Sequence, residues 1–253
     1  MKSDEIDLLG KNAIITGGSR GIGRAIALRL AEYGCNILIN YLKDDQSAQD
    51  VLESLRFYNV KAISYKGDVS NPQISKEMID KVISEFESID ILVNNAGIWK
   101  QGFVGEIDYN HWRLIIKTNL DSAFNCCNVV IPYMKKQRSG KIINISSRSA
   151  RKGEVGSSAY VASKSALIGF TRSIAMEVGK YNINVNCIAP AWVESDMTKE
   201  YMYKENRAEE ILKTIPLGRI AEPRDVADVA LFLASDLSNY ITGETIFLSG
   251  GAI

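Results

Sequence analysis

The sequence has one histidine, His111, and only four cysteines, Cys35, Cys126, Cys127 and Cys187, in 253 residues. No two cysteines have C-x-x-C spacing, and a lone histidine cannot complete a His/Cys set. A zinc site is therefore excluded and no bound metal is expected. Cys35 and Cys187 sit in or beside apolar runs and read as small buried hydrophobes. His111 precedes Trp112 at an expected helix start, a surface or helix-end position rather than a catalytic one. An excess of either charge is also missing. Lys plus Arg and Asp plus Glu both number 30, which argues against a nucleic-acid surface or a basic membrane patch. No apolar run reaches the ~20 residues that span a bilayer. The N-terminal "MKSDEIDLLGKN" lacks the apolar centre of a signal peptide. These absences leave a soluble cytoplasmic protein as the expectation.

What is present is regular alternation. Short runs rich in Ile and Val, "NAIIT" (12–16), "NILIN" (36–40), "KAISY" (61–65), "DILVN" (90–94), "KIINI" (141–145), "INVNCI" (183–188) and "TIFL" (245–248), read as strands buried on both faces. Helical patterns fall between them at 21–33, 44–58, 72–86, 109–136, 159–179 and 223–235. Strand–helix alternation predicts a doubly wound parallel α/β sheet of about seven strands with helices on both faces, Rossmann-like. No linker or repeat divides the chain, so residues 1–253 are expected to form a single domain. The longest stretch without periodicity, about 189–204, marks a substrate lid near 192–213.

The first strand runs into "TGGSRGIGRA", where Gly17, Gly21 and Gly23 follow a G-x-x-x-G-x-G spacing. Glycine lets backbone N–H groups approach a pyrophosphate, and the following helix points its positive end at it. At the end of the second strand, where an acid would bond the ribose of NAD, stand Asn40 and Tyr41. With Arg20 in the loop and Lys43 close by, this favours the extra phosphate of NADP(H), with NAD(H) as the alternative. Asp44 and Asp45 argue the other way.

"SSAYVASKSAL" (157–167) places Tyr160 four residues before Lys164, on one face of a helix. A nearby cation favours the phenolate and would lower the phenol's pKa toward a working range.

Taken together, these motifs resemble the short-chain dehydrogenase/reductase family over about residues 10–253, with "GDV" (67–69), "NNAG" (94–97), Asn119 in "IIKTNL" and "NISS" (144–147) in order between the glycine loop and Tyr160. The resemblance implies catalysis by Asn119, Ser147, Tyr160 and Lys164. Tyr160 would be the acid or base, Ser147 would hold the substrate oxygen, and Asn119 would hold a water in a relay to Lys164. Ser146 is the neighbouring alternative to Ser147, though the spacing to Tyr160 favours the latter. The alternative for Asn119 is an interior polar residue that satisfies backbone. Lys164 and Tyr160 would also meet the cofactor. The remaining cradle implied is Gly17, Ser19, Arg20, Gly21, Ile22, Asn40, Tyr41, Asp68 on the adenine amine, Val69 against its ring, Asn95, Ala96, Gly97, Pro190, Val193, and Ser195 on the carboxamide. Asp68 could instead cap the next turn.

Within the family the chain is most similar to 3-oxoacyl-acyl-carrier-protein reductases, through "NVNCIAPAWVESDMT" (184–198) and "IPLGRIAEPRDVADVALFLASD" (215–236). That implies an NADP(H)-dependent reductase of a ketone, a 3-oxoacyl thioester, on a small or carrier-bound substrate. The family's assemblies imply a homotetramer or homodimer, and the two long helices carry apolar residues on more than one face. Three departures concern the substrate side: Ala191 after Pro190, "AGIWKQGF" (96–103), and Ser157–Ala159 before the tyrosine. A sugar, polyol or other secondary-alcohol dehydrogenase is the alternative enzyme, and a non-catalytic nucleotide sensor the alternative from another class. Trp99, Trp192, Tyr201, Met202 and Tyr203 would line the cleft, pack the lid or form a subunit contact.

Overall fold

In the computed structural model, which describes residues 6–202 and 207–252, seven strands form one parallel sheet. They are β1 (Asn12–Ile15), β2 (Asn36–Tyr41), β3 (Ala62–Lys66), β4 (Ile91–Asn94), β5 (Gly140–Ile145), β6 (Ile183–Pro190) and β7 (Thr245–Leu248), in spatial order 3-2-1-4-5-6-7. The helices between them are α1 (Gly21–Ala31), α2 (Asp45–Leu55), α3 (Pro72–Phe86), α4 (Tyr109–Ile116), α5 (Ser122–Gln137), α6 (Ser149–Lys152), α7 (Ser158–Val178), α8 (Asp196–Met202), α9 (Arg207–Lys213) and α10 (Pro223–Ala234).

Strand residues alternate between two buried layers, because side chains in a strand point to opposite faces in turn. Ala13, Ile15, Ile37, Ile39, Ile91, Val93, Ile143 and Ile145 pack on one side, with apolar residues of α1, α2 and α10. Ile14, Leu38, Leu92 and Ile142 pack on the other, with α3, α5 and α7. Strand order reverses direction between β1 and β4, so the crevice at the carboxyl ends of those strands is where a doubly wound sheet takes its ligand.

The strands and most helices lie where the periodicity puts them, and three segments differ. The single helix expected over 109–136 is two helices joined by a π turn at Lys117–Asp121. The apolar period crosses this turn without a break, so only the tertiary clamp on Asn119 marks it. The stretch 189–204, expected to be irregular, contains the end of β6 and then α8. α8 is anchored through Met202, which is fully buried with Ile211 and Ile215 beside it. The one-turn α6 after β5 carries too few residues to register as a pattern. Among the described residues no helix is long and apolar enough to cross a membrane.

Candidate active site

The glycine loop leaves β1 through Thr16. Its Oγ1 accepts from the backbone N–H groups of Asn95 and Ala96, both at 3.0 Å, and Asn95 Nδ2 donates back to the Thr16 and Gly17 carbonyls. This ties "NNAG" to the loop across the β1–β4 crevice. Gly17 and Gly21 have φ of +62° and +53°, a region that disfavours side chains. α1 begins at Gly21 with no side-chain cap and no acid in its first turn. Its N–H groups are therefore available to an anion, as a dinucleotide's pyrophosphate requires. The loop fits such a group by its own geometry. Ser195 faces it from the other side, its Cβ 3.6 Å from the position of a Cβ on Gly21, and its hydroxyl lies 3.1 Å from Thr198 Oγ1. Val193, two residues earlier, is buried and bridges to Ala221.

At the adenosine end the sequence-predicted residues have mixed positions. Asn40 is buried, and its amide donates to the Tyr65 and Gly67 carbonyls, so it serves the β2–β3 junction. Tyr41 points outward with its hydroxyl on Asp45, and Asp45 pairs with Lys66. Asp44 accepts from the Ser47 N–H and hydroxyl as the N-cap of α2. The two acids that argued against NADP(H) are thus engaged locally. Arg20 stays exposed, 4.0 Å from the equally exposed Asp196. Asp68 Oδ1 accepts from the Ser70 N–H and hydroxyl, the capping role the sequence allowed, and Oδ2 of its half-exposed side chain lies 3.9 Å from Lys117. Val69 beside it is buried.

The reacting end lies at the carboxyl ends of β4 and β5. Ser147 and Tyr160 line one cavity together with Trp99, Arg148, Ser149, Lys152, Glu154, Ala191, Trp192, Met197 and Thr198. Ser146 is turned away, its hydroxyl donating to the Lys164 carbonyl, so Ser147 is the serine that faces the phenol. Lys164, only 5% exposed, donates from Nζ to the Ile145 carbonyl at 2.8 Å and lies 5.9 Å from the Tyr160 ring centre. Asn119 is 1% exposed. Its Oδ1 accepts from the Ile98 N–H at 2.7 Å, and its Nδ2 donates to the Ile98 carbonyl and to Ser163 Oγ. A Cβ on Gly97 would meet Asn119 Oδ1 at 3.2 Å and Lys164 Nζ at 3.3 Å, so this glycine is what lets the two approach.

The electrostatics differ from the sequence expectation. Burial pushes the Tyr160 phenol up to about 12, with Ser147 opposing and Glu154 adding to the rise. Burial likewise pulls Lys164 down to about 8. Desolvation is the largest cause for both groups, and Lys164 turns its ammonium to the Ile145 carbonyl rather than to the phenol.

The aromatic residues of the lid divide. Trp99 and Trp192 wall the cavity, and Trp99 Nε1 donates to Ser157. Tyr201 stacks on Trp192 with ring centres 5.4 Å apart and meets Trp99 edge-on at 5.2 Å. Met202 packs beneath the lid. Tyr203 lies outside the described residues. Sequence reasoning missed Thr16, whose clamp on two backbone N–H groups depends on β1 and β4 being neighbours. It also missed Arg148, which stands in plain view after "NISS" with nothing in the pattern to say that it is buried.

Comparison with known proteins finds relatives along nearly the whole chain. The family model described as enoyl-(acyl carrier protein) reductase matches residues 17–252. The chain is 42% identical over 243 residues to the 3-oxoacyl-acyl-carrier-protein reductase FabG of Staphylococcus epidermidis, covering 96% of this chain and 99% of that one. It is 43% identical over 247 residues to FabG of Chlamydia pneumoniae, covering 98% of each. Among solved structures it is similar to a protein from Agrobacterium tumefaciens provisionally assigned as a gluconate dehydrogenase, with 31% identity, a TM-score of 0.93 and 97% of each chain covered. A provisionally assigned short-chain alcohol dehydrogenase from Sinorhizobium meliloti 1021 matches with 33% identity, the same TM-score and the same coverage.

Proposed function

The chain belongs to the short-chain dehydrogenase/reductase family of oxidoreductases, and from that premise we propose that it reduces the ketone of a 3-oxoacyl thioester to a secondary alcohol, with NADP(H) as its redox cofactor. The observation that carries this reading is the shared cavity of Ser147 and Tyr160, with Lys164 packed behind the tyrosine at the end of the sheet that holds the glycine loop. The nicotinamide, when bound, supplies hydride to the carbonyl carbon. The glycine loop and the uncapped start of α1 take the pyrophosphate, Asp68 Oδ2 takes the adenine amine, and Arg20 takes the 2′-phosphate.

Ser147 Oγ holds the carbonyl oxygen beside Tyr160. The Tyr160 hydroxyl gives its proton to that oxygen as the carbon becomes tetrahedral. The phenolate that remains is recharged through Lys164, whose pKa near 8 lets it take and release a proton close to neutral pH. Asn119, held across Gly97 from the ammonium, positions the path by which that proton is replaced. The assembly we propose is a homotetramer or homodimer.

The test is oxidation of NADPH and NADH with 3-oxobutanoyl-N-acetylcysteamine, wild type beside Tyr160→Phe. We expect NADPH to be preferred and the variant to lose about 10²–10⁴-fold in kcat while still binding NADPH. Folded wild-type protein that binds NADPH but reduces no 3-oxoacyl thioester would reject the substrate class.

A further inference from the structure

One wall of the cavity carries a charge that the reaction above does not use. Arg148 follows Ser147 directly and is held at the end of β5 by a 2.8 Å bond from its N–H to the Pro190 carbonyl. The residue is only 7% exposed, yet among the described residues its guanidinium makes no hydrogen bond or ion pair. Holding a largely buried guanidinium without a hydrogen-bonded partner is costly, and the exposure it keeps is on the cavity it lines, where a ligand can supply an acceptor. Burial accordingly pulls its pKa down, only partly offset by Glu154. Glu154 is the one acid on this wall, and Ser149 Oγ holds it at 2.7 Å. Lys152, exposed at the mouth, adds a second cation. The opposite wall, Trp99 and Trp192, is aromatic. The cavity between these walls is about 60 Å³ and opens to solvent.

We propose that Arg148, assisted by Lys152, binds a carboxylate carried by the substrate within a few bonds of the carbon that Tyr160 serves. The ketone is then a small oxo acid or an oxoacyl chain with a carboxylate of its own. A guanidinium meets a carboxylate through two parallel N–H···O bonds, which fixes orientation as well as position. The carboxylate itself is unchanged in the reaction. This inference rests on the ketone-reductase reading but not on the thioester.

The experiment compares kcat/KM for matched anionic and neutral ketones, in wild type, Arg148→Met and Arg148→Lys. One pair is 3-oxobutanoate and its methyl ester. The other is the N-acetylcysteamine thioesters of 3-oxohexanedioate and 3-oxohexanoate. Wild type should favour the anionic member of one pair at least tenfold, and that ratio should fall at least tenfold in Arg148→Met. The pair that shows the preference tells free acid from acyl chain. Arg148→Lys keeps a charge but not the fork, should give an intermediate ratio, and serves as the test if the methionine variant does not fold.

A second readout is the rise in Tm caused by 3-hydroxybutanoate in the presence of NADP⁺, expected in wild type and lost in Arg148→Met. Ratios within twofold of each other across the proteins, or a lower Tm for Arg148→Met without ligand and no change in ratio, would overturn the proposal. If no ketone is reduced by any protein, the reductase reading fails by itself. The thermal shift then decides the carboxylate site alone.

Discussion

Lys164 and Tyr160 are the residues at which burial and chemistry pull in opposite directions. A lysine with a folded pKa near 8, against the usual 10.5, has lost its proton in the folded protein over a range where the unfolded chain still holds one. Stability therefore rises with pH between about 8 and about 10.5. The Tyr160 phenol, held near 12 against its usual 10, has the reverse effect above about pH 10. We expect urea unfolding of wild type and Lys164→Met at pH 7.5, 9 and 10 to show wild type gaining on the variant as pH rises, by at most about 3 kcal/mol. Lys141, also drawn down to about 8, is common to both proteins and cancels. Parallel curves would mean that Lys164 is charged and solvated in the folded state.

The element on which the proposed nucleotide binding depends is the turn from β1 into α1. Gly23 lies inside the helix, where glycine is normally a liability, but a Cβ there would stand 2.2 Å from the Gly17 carbonyl oxygen and 2.9 Å from its carbon. Both atoms are backbone, so neither can rotate aside, and α1 would have to retreat from the loop it supports. Gly23→Ala is expected to weaken NADPH binding at least tenfold by fluorescence titration and to lower Tm by several degrees. Retained affinity would mean that the loop does not need this close approach. The same scale explains the π turn. Asn119 can face Ile98 and Ser163 at once because the helix is widened at that point, and such widenings recur at functional sites.

At the scale of the whole molecule, α4, α5 and α7 carry several large apolar side chains exposed among their polar ones. Phe124 is 52% exposed and Met176 88%, with Leu114 and Tyr109 also exposed, and Phe124 lies 6.4 Å from Phe170 of the neighbouring helix. Side chains of this size on adjacent helices are the surface an assembly of identical chains would cover. Sedimentation of the wild type should give a dimer or tetramer, and Phe124→Asp should shift it to a smaller species with the helical signal kept. A monomeric wild type at micromolar concentration would remove the assembly from the reading.

The residues alone determined the parallel sheet, the glycine turn and the spacing from Ser147 to Tyr160 and Lys164. Each of these depends on local periodicity or on residue types that only one backbone conformation accommodates. Alternating buried strands and a positive-φ glycine loop leave their mark within a few residues of chain, so they are legible without the fold. The tertiary structure decided what depends on neighbours distant in sequence. It made Ser147 rather than Ser146 the cavity serine, sent the Asn40 amide into the sheet, broke the 109–136 helix at Asn119, and buried Arg148 without a partner. Burial and hydrogen-bond partners are properties of elements brought together from across the chain. The pKa values of Tyr160 and Lys164 follow from that burial rather than from their spacing along one helix.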